Sequence, residues 1–213
     1  MNRPFRTLLL PVIVLCSIHL TTPDAAAQTA IVERVLEHYS GLETLQARFR
    51  QTMTSAIFED ESETVTGALY LKGKAYRVTT GTRTIVTDGT TSWIHDPVEN
   101  QVLIDNQLED EFSFSVHQFL YAFDERFSVE GVSRSGENWL VSLSPLDPLD
   151  YFQRVELTVR EADALITRIE IDDANEVHLL IELSDILENP ALDPALFGFE
   201  IPEGADVVDL RAN

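Results

Sequence analysis

Hydrophobic and polar residues alternate with a period of two along most of the chain beyond residue 45. The segment 47–53, ARFRQTM, places Ala47, Phe49, Gln51 and Met53 on one face and two arginines on the other. This pattern is typical of a strand with one buried face and one wet face. The same alternation recurs in the segments 138–143, 155–160, 165–171 and 177–183.

A helical period replaces this alternation near the start of the chain. Residues 29–39, TAIVERVLEHY, place Val32, Val35, Leu36 and Tyr39 at positions i, i+3, i+4 and i+7. This spacing predicts a helix with one apolar face. The Ser-Gly pair that follows is expected to end the helix.

A second helical pattern interrupts the strands at residues 115–127, SVHQFLYAFDERF. Val116, Phe119, Leu120 and Phe123 repeat the i, i+3, i+4, i+7 spacing. Such a helix could pack over the open end of a sheet and complete its core. It could also form a lid over an apolar cavity.

Short turns separate the strand segments. Asp88-Gly89, Asp96-Pro97, Ser135-Gly136 and residues 173–175 carry the residue types that hairpin turns require. About ten or eleven strands at this spacing predict a single antiparallel sheet, strongly curved or closing toward a barrel. Residues 28–213 are therefore expected to form one domain.

The segment 85–97, IVTDGTTSWIHDP, concentrates a Trp, a His and two Asp. We interpret it as two strand ends and a turn. Neighbouring residues of a strand point to opposite faces, so His95 and Asp96 are poorly placed to form a catalytic pair.

The first residues have the composition of a secretory signal peptide. Two arginines precede an apolar run, and Ala25 and Ala27 fit a small-x-small cleavage site. We expect residues 1–27 to be removed, and with them Cys16, the single cysteine of the chain. A lipoprotein anchored at Cys16 is the alternative, but Val14 and Leu15 are bulky for lipoprotein processing.

Charge and motif content limit the function classes. With 15 basic and 36 acidic residues, the formal net charge is −21, which disfavours nucleic acid and anionic membranes as partners. The histidines at 38, 95, 117 and 178 are not spaced to hold a metal from one helix or hairpin. No Gly-x-Ser-x-Gly elbow and no glycine-rich phosphate loop occur. We therefore predict a protein that is not an enzyme and has no cofactor and no bound metal.

Several blocks, in their order and spacing, resemble the periplasmic outer-membrane lipoprotein carrier family, LolA. They are LETLQARFRQT, GALYLKGKAYRV, TIVTDGTTSWIHDPVENQV and the long C-terminal block that ends LDPALFGFEIPEGADVVD. The resemblance implies an incomplete, half-open antiparallel β-barrel with a lid of short helices over an apolar cavity. That fold agrees with the strands and helices predicted from hydrophobic periodicity.

The resemblance also implies a function. Such a carrier takes triacylated lipoproteins from an ATP-driven inner-membrane complex, shields their acyl chains, and passes them to an outer-membrane acceptor. We expect a monomeric carrier chaperone in the periplasm. The alternative is a relative that carries or senses another envelope amphiphile, such as a glycolipid.

Candidate site residues follow from strand parity, from the helical faces and from the resemblance. The expected acyl-chain cavity residues are Phe49, Leu71, Tyr76, Trp93 and Trp139, with Tyr70 competing with its neighbour Leu71 because only one of them can face inward. The expected lid residues are Val32, Leu36, Phe119, Leu120 and Phe123. The family usually has an Arg-Pro pair, which tethers the lid, in the block that reads LKGKAYRV here. This block has no such pair, and Lys72 and Arg77 are the lid-latch candidates.

Overall fold

The computed structural model describes residues 25–55, 62–106, 120 and 123–211. These residues form helix α1 (Ala25–Ser40), a short helix α2 (Phe123–Arg126) and a turn of 3-10 helix (Pro194–Phe197). Their strands are β1 (Thr44–Ser55), β2 (Ser62–Lys72), β3 (Ala75–Thr80), β4 (Thr84–Thr87), β5 (Ser92–Asp96), β6 (Gln101–Asp105), β7 (Phe127–Ser135), β8 (Asn138–Pro145), β9 (Phe152–Arg160), β10 (Ile166–Asp173), β11 (Val177–Glu188) and β12 (Asp206–Asp209).

The strands form one open sheet in the order β12-β6-β5-β4-β3-β2-β1-β11-β10-β9-β8-β7. Every pairing between these strands is antiparallel except that of β12 with β6. The predicted mainly β, incompletely closed fold is confirmed. The count exceeds the expected ten or eleven because β12, with only four residues, is too short to show alternation.

Strand register separates the sheet into two faces. Phe49 of β1 pairs with Gly67 of β2 and with Leu183 of β11, so these residues share one side. We call this side the apolar face, because the buried core residues of β1–β3 and β8–β11 lie on it. The opposite side, which carries the residues between them, is the polar face.

Helix α1 packs on the apolar face. Ile31, Val35 and Tyr39 are almost fully buried, and Val32 and Leu36 pack against the same core from its flanks. The helix ends at Ser40, as the sequence predicts, where the amide of Gly41 donates to two carbonyls of the last turn. The predicted signal peptide falls mostly outside the described residues.

A buried hydrogen bond joins α1 to the start of β10. The amide of Ile166 donates to the hydroxyl of Tyr39 at 3.0 Å, and both residues are at most 1% exposed. The bond satisfies a backbone group that water cannot reach.

Tyr39→Phe is expected to lower the free energy of unfolding by about 1–3 kcal/mol, since it leaves the buried amide of Ile166 without its partner. Urea denaturation measures the change. Tyr151→Phe is the matched control: its hydroxyl accepts a hydrogen bond from Asn175, but the residue is 43% exposed and water can replace the hydroxyl. Equal losses for the two variants would contradict the role of Tyr39.

The segment 85–97 folds as predicted, as strand ends and turns. The Asp88 carboxylate accepts hydrogen bonds from the amides of Thr90 and Thr91, both at 2.8 Å. Asp96 accepts in the same way from Glu99 and Val98, and these bonds lower the pKa of its carboxyl. The two aspartates therefore stabilise turns.

Candidate functional site

The apolar face collects four of the five predicted cavity residues. Phe49, Leu71, Tyr76 and Trp139 lie on it and are between 0% and 9% exposed. Tyr70 lies on the polar face opposite Arg77, so Leu71 is the inward member of that pair of neighbours. These side chains belong to the packed core around α1.

Trp93 does not lie on this face, and its predicted placement is wrong. It pairs with Val86 and Ile104, which point to the polar side, and its ring stacks on Phe199 at 6.3 Å. Strand β5 directs the aromatic side chains of Trp93 and His95 to the polar face and Ile94 to the apolar face. The C-terminal segment covers the polar face here, so Val86 and Ile104 are buried and Trp93 is half-buried on the side that is polar elsewhere in the sheet.

The predicted lid residues pack on the apolar face where the structure describes them. Val32 and Leu36 are partly buried there, while Leu120 and Phe123 are each only 1% exposed. Of the predicted second helix, Leu120 and α2 are described as helical. Phe119 lies outside the described residues.

The two latch candidates lie on the other side of the sheet. Arg77 donates from Nη1 to the carbonyl of Leu196 at 3.2 Å, which ties the 3-10 turn to β3. Lys72 pairs with Ala75 at the end of the β2–β3 hairpin, and is exposed. The expectation that either one tethers helices on the apolar face is therefore corrected: Arg77 holds the C-terminal segment instead.

Two recesses open on the apolar face beyond the packed core. Burial along β1 falls from Leu45 at 0% and Phe49 at 3% to Met53, which is 36% exposed. The smaller recess is about 140 Å³ and runs from Met53 toward Ile171 and Leu179. The larger is about 320 Å³ and runs the other way, toward Val65, Val78 and Ile85.

Gln51 and Met53 line both recesses and so mark where they meet. Gln51 Oε1 is buried, and no group among the described residues donates a hydrogen bond to it. A buried amide oxygen without a donor is costly, and a ligand N–H or O–H would relieve that cost. The two recesses therefore combine apolar side chains with an unpaired acceptor where they meet, and Glu63, Arg83 and Asp173 are also among the lining residues.

Sequence reasoning missed most of these lining residues. It placed Gln51 and Met53 on the inner face but chose the larger aromatic residues as cavity candidates. Large aromatic side chains fill the core under α1. The free space lies past the helix, where aliphatic residues continue along the strands and Tyr151 and Phe152 border the smaller recess. The alternation extending to Met53 and to Val177 is the signal that could have located the recesses.

An ion pair holds α2 beside the smaller recess. The Arg126 guanidinium donates to both carboxylate oxygens of Asp150, with 2.8 Å between Nη2 and Oδ1, and lies 5.4 Å from the ring centroid of Phe152. Burial alone would raise the pKa of Asp150, but hydrogen bonds from Arg126 and from the Phe152 amide outweigh it and lower the pKa. Phe152 lines the recess, so this pair orders one of its walls.

Sequence comparisons match this chain to one family of known proteins. The family described as outer membrane lipoprotein carrier protein LolA matches residues 40–200. The outer-membrane lipoprotein carrier protein of Hahella chejuensis is 29% identical over 199 residues, which cover 89% of this chain and 93% of that protein. The one from Chromohalobacter salexigens is 29% identical over 128 residues, 58% of this chain and 59% of that protein.

A solved structure shares the fold. The structure of an uncharacterized conserved protein from Thermus thermophilus superposes with a TM-score of 0.55 at 17% identity, covering 86% of this chain and 99% of that one. Separately, none of the helices in the described residues is long and apolar enough to cross a membrane.

Proposed function

The chain belongs to the outer membrane lipoprotein carrier protein LolA family, and from that premise we propose that it carries lipoproteins by holding their acyl chains in the two recesses of its apolar face. The observation that carries this proposal is the pair of recesses meeting at Met53 and Gln51. The larger recess is at the lower end of the roughly 300–1,000 Å³ typical of ligand pockets.

The energetics require such a surface. Burying one methylene is worth about 0.8 kcal/mol, so a sixteen-carbon chain carries roughly 12 kcal/mol against exposure to water. Aliphatic walls from β2–β4 and from β10–β11 can accept the chains. Gln51 Oε1 suits a hydrogen-bond donor in the polar group to which the chains are attached.

The wider role follows from the family. We propose that the protein is a monomeric periplasmic chaperone without catalytic activity. In this role it takes triacylated lipoproteins from an ATP-driven inner-membrane complex and passes them to an outer-membrane acceptor. The strongly negative surface, with a net charge of −21, favours release from anionic lipid head groups between the two membranes.

The test is a release assay on spheroplasts with the protein purified from the periplasm without detergent. The wild type is expected to release labelled triacylated lipoprotein into a soluble complex. Met53→Asp places a charge where the recesses meet and is expected to reduce the complex about tenfold, because acyl chains would be buried beside it. Met53→Leu should retain it.

Val129→Asp is the matched control, because Val129 is comparably exposed, at 41%, and lines neither recess. An equal loss in this variant would mean that the recesses are not the acyl-chain site. The wild type could instead release no lipoprotein and carry a co-purified glycolipid, identified by mass spectrometry of an organic extract. That result would show that the cargo is a glycolipid and not a lipoprotein.

A further inference from the structure

The polar face holds a groove that the acyl-chain site does not use. It has a volume of about 1310 Å³, and residues from β3 through to β8 line it. The strands from β3 to β8 are seven neighbours and span about 29 Å at the usual strand spacing, and Ser135 of β7 adds an eighth strand at that end. This space exceeds the roughly 300–1,000 Å³ of pockets for small ligands.

One half of the groove is cationic. Arg48 and Arg50 of β1 and Arg77 of β3 line it, around Ala68 and Tyr70 of β2. Every other residue that β1, β2 and β3 direct to the polar face is uncharged except Lys72, which adds a further positive charge. These three strands therefore present positive charge alone, in a chain whose net charge is −21.

These arginines are not neutralised within the described part of the protein. Arg50 has no ion pair or side-chain hydrogen bond among the described residues, and Arg77 donates only to the neutral carbonyl of Leu196. Arg48 lies 3.6 Å from Asp185, and both side chains are about three-quarters exposed, at 74% and 76%. Such an exposed contact contributes little.

Most of the other described arginines behave differently, although Arg34 and Arg83 also lack a carboxylate partner among the described residues. Within the described ranges, six of them hold a carboxylate oxygen at 2.9 Å or less, and these are Arg126, Arg134, Arg154, Arg160, Arg168 and Arg211. Although the chain has 36 acidic residues, three arginines without a close carboxylate partner in these ranges cluster on one face in this groove, which indicates a surface that binds an external anion. Guanidinium groups suit carboxylates in particular.

The other half of the groove is acidic. Glu156 of β9, Glu170 of β10 and Glu182 of β11 line it. Arg168 pairs with Glu170 at 2.9 Å. Glu182 lies opposite Arg50 where the two halves meet, so Glu156 and Glu182 give this half its sign. A lipid surface is broad and carries one sign of charge, so it fits neither the shape nor the charge pattern.

We propose that this groove binds an extended polypeptide segment of a partner protein, with acidic side chains over β1–β3 and basic side chains over β9–β11. About nine extended residues span its length. The groove and the acyl-chain recesses lie on opposite faces of the sheet, so the segment binds whether or not the carrier is loaded.

The probe is a fluorescein-labelled peptide of about nine residues, with Glu alternating with Ser in one half and Lys alternating with Ser in the other. Its anisotropy is titrated with the protein purified from the periplasm. The double variant Arg48→Gln/Arg50→Gln is expected to weaken binding about tenfold, because two charge-assisted contacts are lost. Chemical shifts of backbone amides should change in β1–β3 and β9–β11 and not around Met53.

Arg34→Gln is the matched control, since Arg34 also donates only to a carbonyl, that of Glu161, but lies on α1. It should bind the peptide as the wild type does. The proposal is overturned if the double variant binds as tightly as the wild type, or if the shifts map to the apolar face. It is also overturned if phosphatidylglycerol vesicles bind with the same arginine dependence while the peptide does not.

Discussion

Replacing Asp150 by alanine is expected to lower the free energy of unfolding by about 3–5 kcal/mol, because it removes the carboxylate that pairs with the partly buried Arg126 guanidinium. The Asp150 side chain is 3% exposed and that of Arg126 is 29% exposed. Asp150 also accepts the amide of Phe152 at 3.0 Å. The variant therefore removes an ion-pair partner of Arg126 and the acceptor of a backbone amide together, and loosens the connection of α2 to β9.

The same pair makes the loss dependent on pH. The pKa of Asp150 is lowered in the folded protein, so its contribution is complete above the ordinary carboxyl value of 3.8. This contribution to stability declines as the pH falls through the lowered pKa of the folded state, because the Asp150 carboxyl binds a proton more readily in the unfolded chain. The difference in stability between wild type and Asp150→Ala should be constant near neutral pH and shrink below about pH 4.

Urea denaturation at several pH values measures both effects. Asp172→Ala is the control, because Asp172 pairs with Arg154 and His178 but is 41% exposed. Solvent screening limits its expected cost to at most about 1 kcal/mol. An Asp150→Ala loss no greater than this, or one that does not change with pH, would contradict the buried-pair interpretation.

Gly67→Ala is expected to destabilise the fold by about 3 kcal/mol or more, because the added carbon has no room. A Cβ on Gly67 would lie 2.3 Å from the carbonyl oxygen of Thr79 and 2.6 Å from the ring of Phe49. The carbonyl belongs to the backbone of β3 and cannot rotate aside as a flexible side chain would. The absence of a side chain at Gly67 lets the Phe49 ring lie flat over β2.

Thermal and urea unfolding of Gly67→Ala, compared with Gly81→Ala, test this prediction. A Cβ on Gly81 meets no atom within 4 Å, and its backbone is not in the left-handed region. The control should unfold within about 1 kcal/mol of the wild type, since it only reduces backbone freedom in the unfolded chain. Similar losses for both variants would show that Phe49 and β3 accommodate the extra carbon.

Much of the fold could be predicted because alternation and turn chemistry are local. The register of β1 with β2 places Phe49, Gln51 and Met53 on one side, as their spacing in the sequence requires. The helix stop at Gly41 and the reversal at Asp88-Gly89 likewise depend on a few neighbouring residues. Strand β12 escaped prediction because its four residues are too few to show alternation, and only its pairing with the distant β6 identifies it as a strand.

The candidate site was only partly predictable. Alternation tells which residues share a face, but it does not tell which face is covered at each point along a strand. Trp93 is an example, because the ring that stacks on it on the polar face belongs to Phe199, which is distant in the sequence. Arg77 shows it again, because its partner Leu196 lies far along the chain.

By itself, the sequence determined the class of fold, the amphipathic helix, the turns and the resemblance to a carrier family, because each depends on residue type and near-neighbour spacing. Tertiary structure alone decided where free space remains. The recesses exist because β1 and β11 continue past the region that α1 covers, which leaves Met53 open while Phe49 is packed. The polar groove likewise required six neighbouring strands, from β3 to β9, to bring Arg48, Arg50 and Arg77 opposite Glu156 and Glu182. Strand order sets this arrangement.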